Sequence, residues 1–360
     1  MARLRVGILG CGAISGIYLK NLTGHPAVEV VACADLDASR AQEASASFGI
    51  PLACSPADLL ALPQVDLVLN LTVPLAHYAT SLAALQAGKH VYGEKPLAAT
   101  VEQGSALAAE ARRLGLRVGA APDTFLGGGL QTCRALIDQG AIGEPVAATA
   151  FMLCRGHERW HPNPDFYYQP GGGPMMDMGP YYITALASLL GPVQRVSGAA
   201  RATWPTRTVG SESRKGEVIP VEVPTHITGM LEFESGPLAT IVTSFDVWPG
   251  NAPMLEIYGS EGTLSLPDPN TFGGPVRIRR RGSDWEEVEI TLPHTENARS
   301  IGLIDLAQAI EQNRPHRCSA ELALHTLEVM EAIEKSAVKG RRIEMTTRCG
   351  RPDSTAVHIM

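Results

Sequence analysis

An aliphatic run at residues 4–9 ends in Gly10-Cys11-Gly12-Ala13-Ile14-Ser15-Gly16, and a helix-like stretch follows through Asn21. No other part of the chain restricts the fold so strongly. A strand that turns on glycine straight into a helix opens a βαβ unit. The first glycine permits the tight turn, and the second lets the backbone approach a pyrophosphate. The third position wants a small residue for helix–strand packing, which Ser15 supplies less well than Gly or Ala. The helix N-terminus then offers unpaired N–H groups and a positive dipole end. The next β-branched run, Val28–Ala34, stops at an acidic residue, Asp35, 25 positions after Gly10. That spacing is near the ~20 expected for a residue that meets a ribose. Together these features predict a dinucleotide site at Gly10, Gly12, Ala13, Ile14 and Asp35. A carboxylate at 35 accepts hydrogen bonds from a ribose diol and repels a 2′-phosphate, which favours NAD. Arg40, one helical turn on, keeps NADP open as the alternative.

The same N-terminus has a basic start and an apolar segment, as a signal peptide would. The regularly placed glycines explain it better. Beyond it, strands at 66–72, 89–92 and 117–121 alternate with helices at 39–48, 76–87 and 101–114. This is the pattern of an α/β, doubly wound parallel sheet, here the Rossmann type, over residues 1–122. The pattern then changes. A helix at 129–139 precedes strand-like runs at 145–153, 193–203, 225–234, 237–247, 253–259 and 262–266. Glu234-Ser235-Gly236-Pro237 and Gly259-Ser260-Glu261-Gly262 read as hairpin turns. Two amphipathic helices follow at 299–313 and 319–338. Residues 123–345 are therefore expected to form an α+β domain on an open-faced mixed, mostly antiparallel sheet, and 346–360 a loose polar tail.

Charge and composition exclude other classes. Of 360 residues, 37 are acidic and 30 basic, and the net charge of −7 argues against nucleic acid as a partner. The one dense basic cluster, residues 277–281, alternates with apolar positions and reads as an exposed edge strand. No apolar run approaches the ~18 residues needed to span a membrane. Seven scattered cysteines, with no CxxC pair, signal neither a zinc site nor a disulfide framework, so no metal is expected. They suit a reducing, cytoplasmic setting. No HExxH, GxSxG or P-loop pattern occurs.

Three further segments carry chemistry: Gly93-Glu94-Lys95-Pro96, the run from Gly171 to Tyr182, and Ile257 to Leu264. With Thr72, Pro74 and His77, and with the segment from Gly88 to Ala98, they resemble the Gfo/Idh/MocA oxidoreductases over about residues 4–345. The resemblance implies an NAD(P)-dependent enzyme that moves a hydride between the nicotinamide and a secondary alcohol or ketone of a sugar, cyclitol or related ring. It implies cofactor contacts at Thr72, Pro74, Glu94 and Lys95, and a catalytic role for Lys95, which also meets the substrate. It places an aspartate at Asp177. Four residues on, inositol dehydrogenases carry histidine, whereas here Tyr181 stands, as in glucose–fructose oxidoreductase and the dimeric dihydrodiol dehydrogenases. Where the family often has another aspartate, this chain has Thr184. At these positions a histidine paired to a second carboxylate is thus not expected, and acid–base chemistry is expected to run through the Tyr181 phenol.

The residue types agree. A phenol, with a pKa of about 10, is a poor base unless a cation stabilises its phenolate. Lys95 supplies one while polarising the substrate oxygen, and Asp177 holds a substrate hydroxyl or orients Lys95. Tyr182 faces elsewhere on its helix and reads as structural. His77 likewise reads as a structural hydrogen-bonding residue. The aromatic, irregular stretch 155–168 offers Trp160 and His161 as substrate contacts, with Asn297 and Arg299 as a further polar wall or as capping groups. Two rival functions use the same scaffold: a glycosidase or lyase that retains NAD and oxidises transiently, and a non-catalytic NAD-binding regulator. The resemblance also implies a homodimer or homotetramer formed through the second sheet.

Overall fold

The computed structural model describes residues 3–355. Its chain divides into two compact units, each assembled from two stretches of sequence. The first contains residues 3–126 together with Asn297–Leu324, and the second Gly127–Glu296 with residues 325–355.

In the first unit, β1 (Leu4–Leu9), α1 (Ser15–Leu22), β2 (Val28–Ala34), α2 (Ala38–Phe48), β3 (Ala53–Cys54), α3 (Pro56–Ala61), β4 (Leu67–Asn70), α4 (His77–Gln86), β5 (His90–Gly93), α5 (Val101–Leu114) and β6 (Val118–Ala120) alternate strictly. All strand pairs are parallel and the order is β3-β2-β1-β4-β5-β6. Buried faces on both sides explain why Val6, Ile8, Leu67, Val68 and Leu69 form near-continuous apolar runs with no exposure. Local chemistry sets the helix ends. Asp37 and Thr100 cap α2 and α5 with their side chains, and left-handed Gly49 and Gly115 stop them. The strand order reverses between β1 and β4, where a ligand crevice opens at the carboxyl ends of the strands.

The second unit holds α6 (Gly128–Asp138), β7 (Pro145–Leu153), α7 (Gly173–Leu190), β8 (Val193–Arg201), β9 (Thr206–Thr208), β10 (Val218–Pro220), β11 (His226–Phe233), β12 (Leu238–Ser244), β13 (Leu255–Gly259), β14 (Gly262–Ser265), β15 (Val276–Arg280) and β16 (Trp285–Val288). The nine-stranded sheet runs β16-β15-β14-β13-β7-β12-β11-β8 and ends on a short strand, β17, described below. Among the described residues of this sheet only β7 and β12 pair in parallel. The arginine-rich strand is corrected: β15 is not the edge, because β16 pairs with it and Glu287 and Glu286 meet Arg277 and Arg280.

Two late helices close the chain: α8 (Ile301–Glu311) and α9 (Ala320–Lys339), followed by β17 (Ile343–Glu344). A single cut near residue 122 does not describe the outcome, because α8 returns to the first unit. The Asp123 carboxylate accepts the backbone N–H groups of Ser300 and Gly302 and so caps the start of α8. The Asn21 side-chain amide donates to the Asn297 and Arg299 carbonyls. Those two residues therefore anchor the returning chain to α1. Burial pushes the Asp123 carboxyl up to about 6, against the opposing pull of its two N–H donors. In the second unit, α9 lies so close to β8 that a Cβ on Gly198 would sit 2.4 Å from the Ile333 carbonyl oxygen. The polar tail is also corrected as far as residue 355. The Glu328 carboxylate accepts the N–H groups of Thr346 and Thr347, and the Arg134 guanidinium donates to the Pro352 carbonyl. Residues 356–360 lie outside the described range.

Candidate active site

The first unit places its candidate cofactor residues at the carboxyl ends of β1, β2, β4 and β5. Gly10 takes φ +97°, and a Cβ there would lie 2.6 Å from the Leu71 carbonyl oxygen. At Gly12 a Cβ would meet nothing within 4 Å, so its backbone stands open in front of α1. Ser15, the imperfect third residue of the fingerprint, is buried and donates its hydroxyl to the Gly12 carbonyl at 2.7 Å, which fixes the turn. Ala13 and Ile14 are exposed on the same turn. The Asp35 carboxylate accepts the Cys11 N–H at 2.8 Å and the Asp37 N–H at 2.9 Å, so it bridges the glycine turn and the end of β2.

Next to it, Asn70 is fully buried at the end of β4. Its amide donates to the His77 carbonyl and the Ser81 hydroxyl, and its oxygen accepts from the Thr72 N–H and hydroxyl. The His77 ring joins the Thr72 carbonyl at 2.9 Å to the Pro96 carbonyl at 2.7 Å. His77 is thus the strut between the Thr72 turn and the Lys95-Pro96 segment, and Pro74 is exposed at the start of the turn between them. The Glu94 carboxylate accepts the Tyr18 hydroxyl at 2.5 Å and the Lys95 N–H at 3.0 Å. Glu94 is held by α1, and Lys95 follows it directly at the end of β5. These residues fit a dinucleotide. The open Gly12 backbone and helix N-terminus would hold the pyrophosphate, and Asp35 would hold the adenosine ribose.

The second unit carries its candidate residues as side chains. Asp177 and Tyr181 stand one turn apart on α7, hence on one face. Tyr181 is 8% exposed. Tyr182 is buried, and burial, Asp268 and Cys154 push its phenol well up, in keeping with a structural role. A contact that the sequence did not signal appears here: the turn after β7 brings His157 Nε2 to 3.4 Å from Asp177 Oδ2. The His157 ring packs against Tyr167 at 4.5 Å, Phe245 at 4.6 Å and Trp160 at 5.4 Å between centroids. Trp160 in turn meets His161 edge-on, and His161 meets Tyr167. The two aromatic residues expected at the substrate thus join a cluster that reaches Asp177 through His157. Trp160 leaves 62% of itself exposed.

A buried ionic network holds this turn. Glu158, next to His157, is 5% exposed, accepts the Tyr168 hydroxyl and faces Arg207 at 3.5 Å. Arg207 also pairs with Asp246, which accepts the hydroxyls of Thr203 and Thr225. Burial first, then Glu158, drives the Tyr168 phenol far up, so it stays a donor. Sequence reasoning missed His157, Glu158, Arg207 and Asp246. They span 90 residues, and no spacing links them.

Fold and site together define an NAD-binding oxidoreductase. The model described as the oxidoreductase family with an NAD-binding Rossmann fold matches residues 4–121, and the GFO/IDH/MocA C-terminal domain model matches residues 130–265. The chain belongs to the Gfo/Idh/MocA oxidoreductase family. It is 30% identical over 298 residues to inositol 2-dehydrogenase 3 of Saccharopolyspora erythraea, covering 79% of this chain and 80% of that protein. It is 30% identical over 247 residues to D-glucoside 3-dehydrogenase of Escherichia coli, covering 67% and 70%. The crystal structure of an NAD binding oxidoreductase from Klebsiella pneumoniae matches with a TM-score of 0.83 at 25% identity, covering 95% of this chain and 99% of that one.

Proposed function

We propose that this enzyme interconverts a secondary alcohol and a ketone on a sugar or cyclitol ring, with NAD preferred over NADP. The observation that carries the substrate class is the second unit's face. A carboxylate and a phenol one helical turn apart adjoin an aromatic cluster that ends in exposed Trp160. Aromatic faces suit the C–H faces of a sugar ring, and carboxylates suit its hydroxyls. The names of the relatives above, one acting on inositol and one on a glucoside, support the same class.

When bound, NAD supplies the hydride acceptor. Within this reading, Lys95 polarises the substrate oxygen, Asp177 binds and orients, Tyr181 donates a hydrogen bond to the reacting oxygen, and Trp160 and His161 hold the ring. Asp35 selects NAD, since its carboxylate would repel a 2′-phosphate. Among the described residues no helix is long and apolar enough to cross a membrane. All seven cysteines are unpaired, which supports a cytoplasmic setting. Leu238 and Met230 are 51% and 40% exposed on the sheet strands β12 and β11, and this supports a homodimer or homotetramer through the second sheet. Light scattering on the purified protein reads that number directly.

Fluorescence titration with NADH and NADPH, followed by absorbance assays on myo-inositol, D-glucose, D-xylose and methyl D-glucoside with NAD, tests the reading. Tighter NADH than NADPH binding and turnover of a panel member are expected. Cofactor binding with no turnover on any of them would defeat it.

A further inference from the structure

We propose that Trp160 and Trp248 form a platform for two sugar rings, so that the substrate is a glycoside whose second ring rests on Trp248. The inference rests on the oxidoreductase reading above and names its substrate more closely. The chain has four tryptophans, and three of them, Trp160, Trp204 and Trp248, are tied into one part of the second unit by arginines. Arg159, the residue before Trp160, lays its guanidinium over the Trp248 ring, 4.9 Å from the centroid. Trp248 nevertheless keeps 65% of its surface open, and Trp160 keeps 62%. Trp204 differs from both, because Arg155 at 4.5 Å and Arg207 at 4.9 Å already lie over its ring.

Two large aromatics left in water forgo the burial that such side chains usually gain. The way they are held supplies a reason. Glu158 stands two residues before Trp160, and Asp246 two residues before Trp248. Both carboxylates are buried, and both meet the one guanidinium of Arg207. A single buried cation therefore fixes the turn that carries Trp160 and the loop after β12 that carries Trp248, and with them the spacing of the two rings. Gly210 closes on the same turn. Its N–H donates to the Glu158 carbonyl at 2.8 Å, and a Cβ there would lie 3.2 Å from the Arg159 carbonyl oxygen. Side chains held by a buried framework in this way suit a rigid ligand.

The chemistry around the rings fits a carbohydrate. Each indole offers an apolar face to the C–H face of a pyranose, and hydrogen-bonding groups stand beside it, as a ring edged with hydroxyls requires. His161 meets Trp160 edge-on at 5.4 Å. Among the described residues Arg159 has no carboxylate partner, so its N–H donors stay available to hydroxyls. An apolar partner surface laid here would bury that guanidinium unpaired. The platform is continuous with the face assigned to the reacting ring, since Trp160 reaches Asp177 through His157. The ring that is oxidised lies on the Trp160 side, and the ring joined to it through the glycosidic oxygen lies on the Trp248 side.

Calorimetry on the intact protein saturated with NADH tests this without turnover. Titrations compare the two methyl D-glucoside anomers with maltose, cellobiose, trehalose and sucrose. At least one disaccharide is expected to bind about tenfold tighter than the methyl glucoside of the same anomer, which is what one added aromatic contact supplies. Trp248→Ala, whose ring is already mostly in solvent, is expected to erase that advantage, and Trp248→Phe, which keeps a ring, to retain most of it. Trp285→Ala, which removes the exposed tryptophan of β16, is expected to leave the advantage intact. An advantage below about fivefold for every disaccharide, or one that survives Trp248→Ala, would overturn the proposal. Light scattering on Trp248→Ala covers the rival occupant. A changed subunit number with the advantage retained would assign the ring to a contact between copies of the chain. Turnover is read separately, and kcat/KM is expected to carry the same preference for the disaccharide. No turnover of any sugar by the unaltered enzyme would defeat the oxidoreductase reading, while the calorimetry still decides whether a second ring is held.

Discussion

The two units reach a functional surface by opposite means. The first uses backbone: an open glycine, a helix N-terminus, and carboxylates that straighten loops by accepting N–H groups. The second uses side chains from far apart in the chain, tied together by a buried network of Arg207, Glu158 and Asp246. A backbone site is vulnerable to added atoms, and a side-chain site to removed ones. A backbone cradle can grip a cofactor but has no group that titrates, so in the proposed function the first unit's share of the chemistry falls to the Lys95 side chain.

The sharpest attempt to break this comparison removes the chemistry and asks whether binding survives. Tyr181→Phe and Lys95→Ala are each expected to lower turnover by about 10²–10⁴, and in Tyr181→Phe NADH still binds, as a fluorescence titration would register. Near-normal rates would strip these residues of their assigned roles. Removing the network's hub comes next. Arg207→Met leaves two buried carboxylates uncompensated and is expected to cost about 3–5 kcal/mol in chemical denaturation. Gly12→Ala turns to the first unit. Its Cβ meets no protein atom, so the melting temperature should hold while NADH affinity falls at least about tenfold, or ~1.4 kcal/mol. Unchanged affinity would mean that the cradle does not lie at Gly12.

The smallest effect lies away from both sites. Burial and neighbouring Glu331 push the Glu334 carboxyl up to about 7 from its ordinary 4.5. Between these values the unfolded chain has already released a proton that the folded chain retains. Stability contributed here is therefore present at low pH and lost as pH rises through that window. Glu334→Gln is expected to raise the melting temperature at pH 8 more than at pH 5, by a solvent-screened amount below about 1 kcal/mol.

Much of the first unit was readable because its rules are local. The Gly10 turn, the alternation of elements and the acidic end of β2 each act within about thirty residues. His77 was readable as a strut for the same reason. The second unit was readable as strands, and less so as a site. Nothing in a twenty-residue gap shows that His157 will meet Asp177. The Trp285–Val288 strand hid because its ladder is matched by charge against Arg277 and Arg280, without an apolar alternation. The polar stretch after residue 345 gave no sign that Glu328 would hold it. The helix at Ile301–Glu311 was visible, but which sheet it would join was not, since a hydrophobic face does not name its partner.

That returning helix bears on how the protein is made. Asp123 leaves the ribosome long before Ser300 and Gly302, the N–H groups its carboxylate accepts. The nucleotide-binding unit therefore cannot finish folding during synthesis until most of the chain has emerged. The β6 edge, which pairs with residues around Ser319, must wait as well. A gene fragment ending at Leu126 would encode a recognisable sequence motif and an unfinished fold.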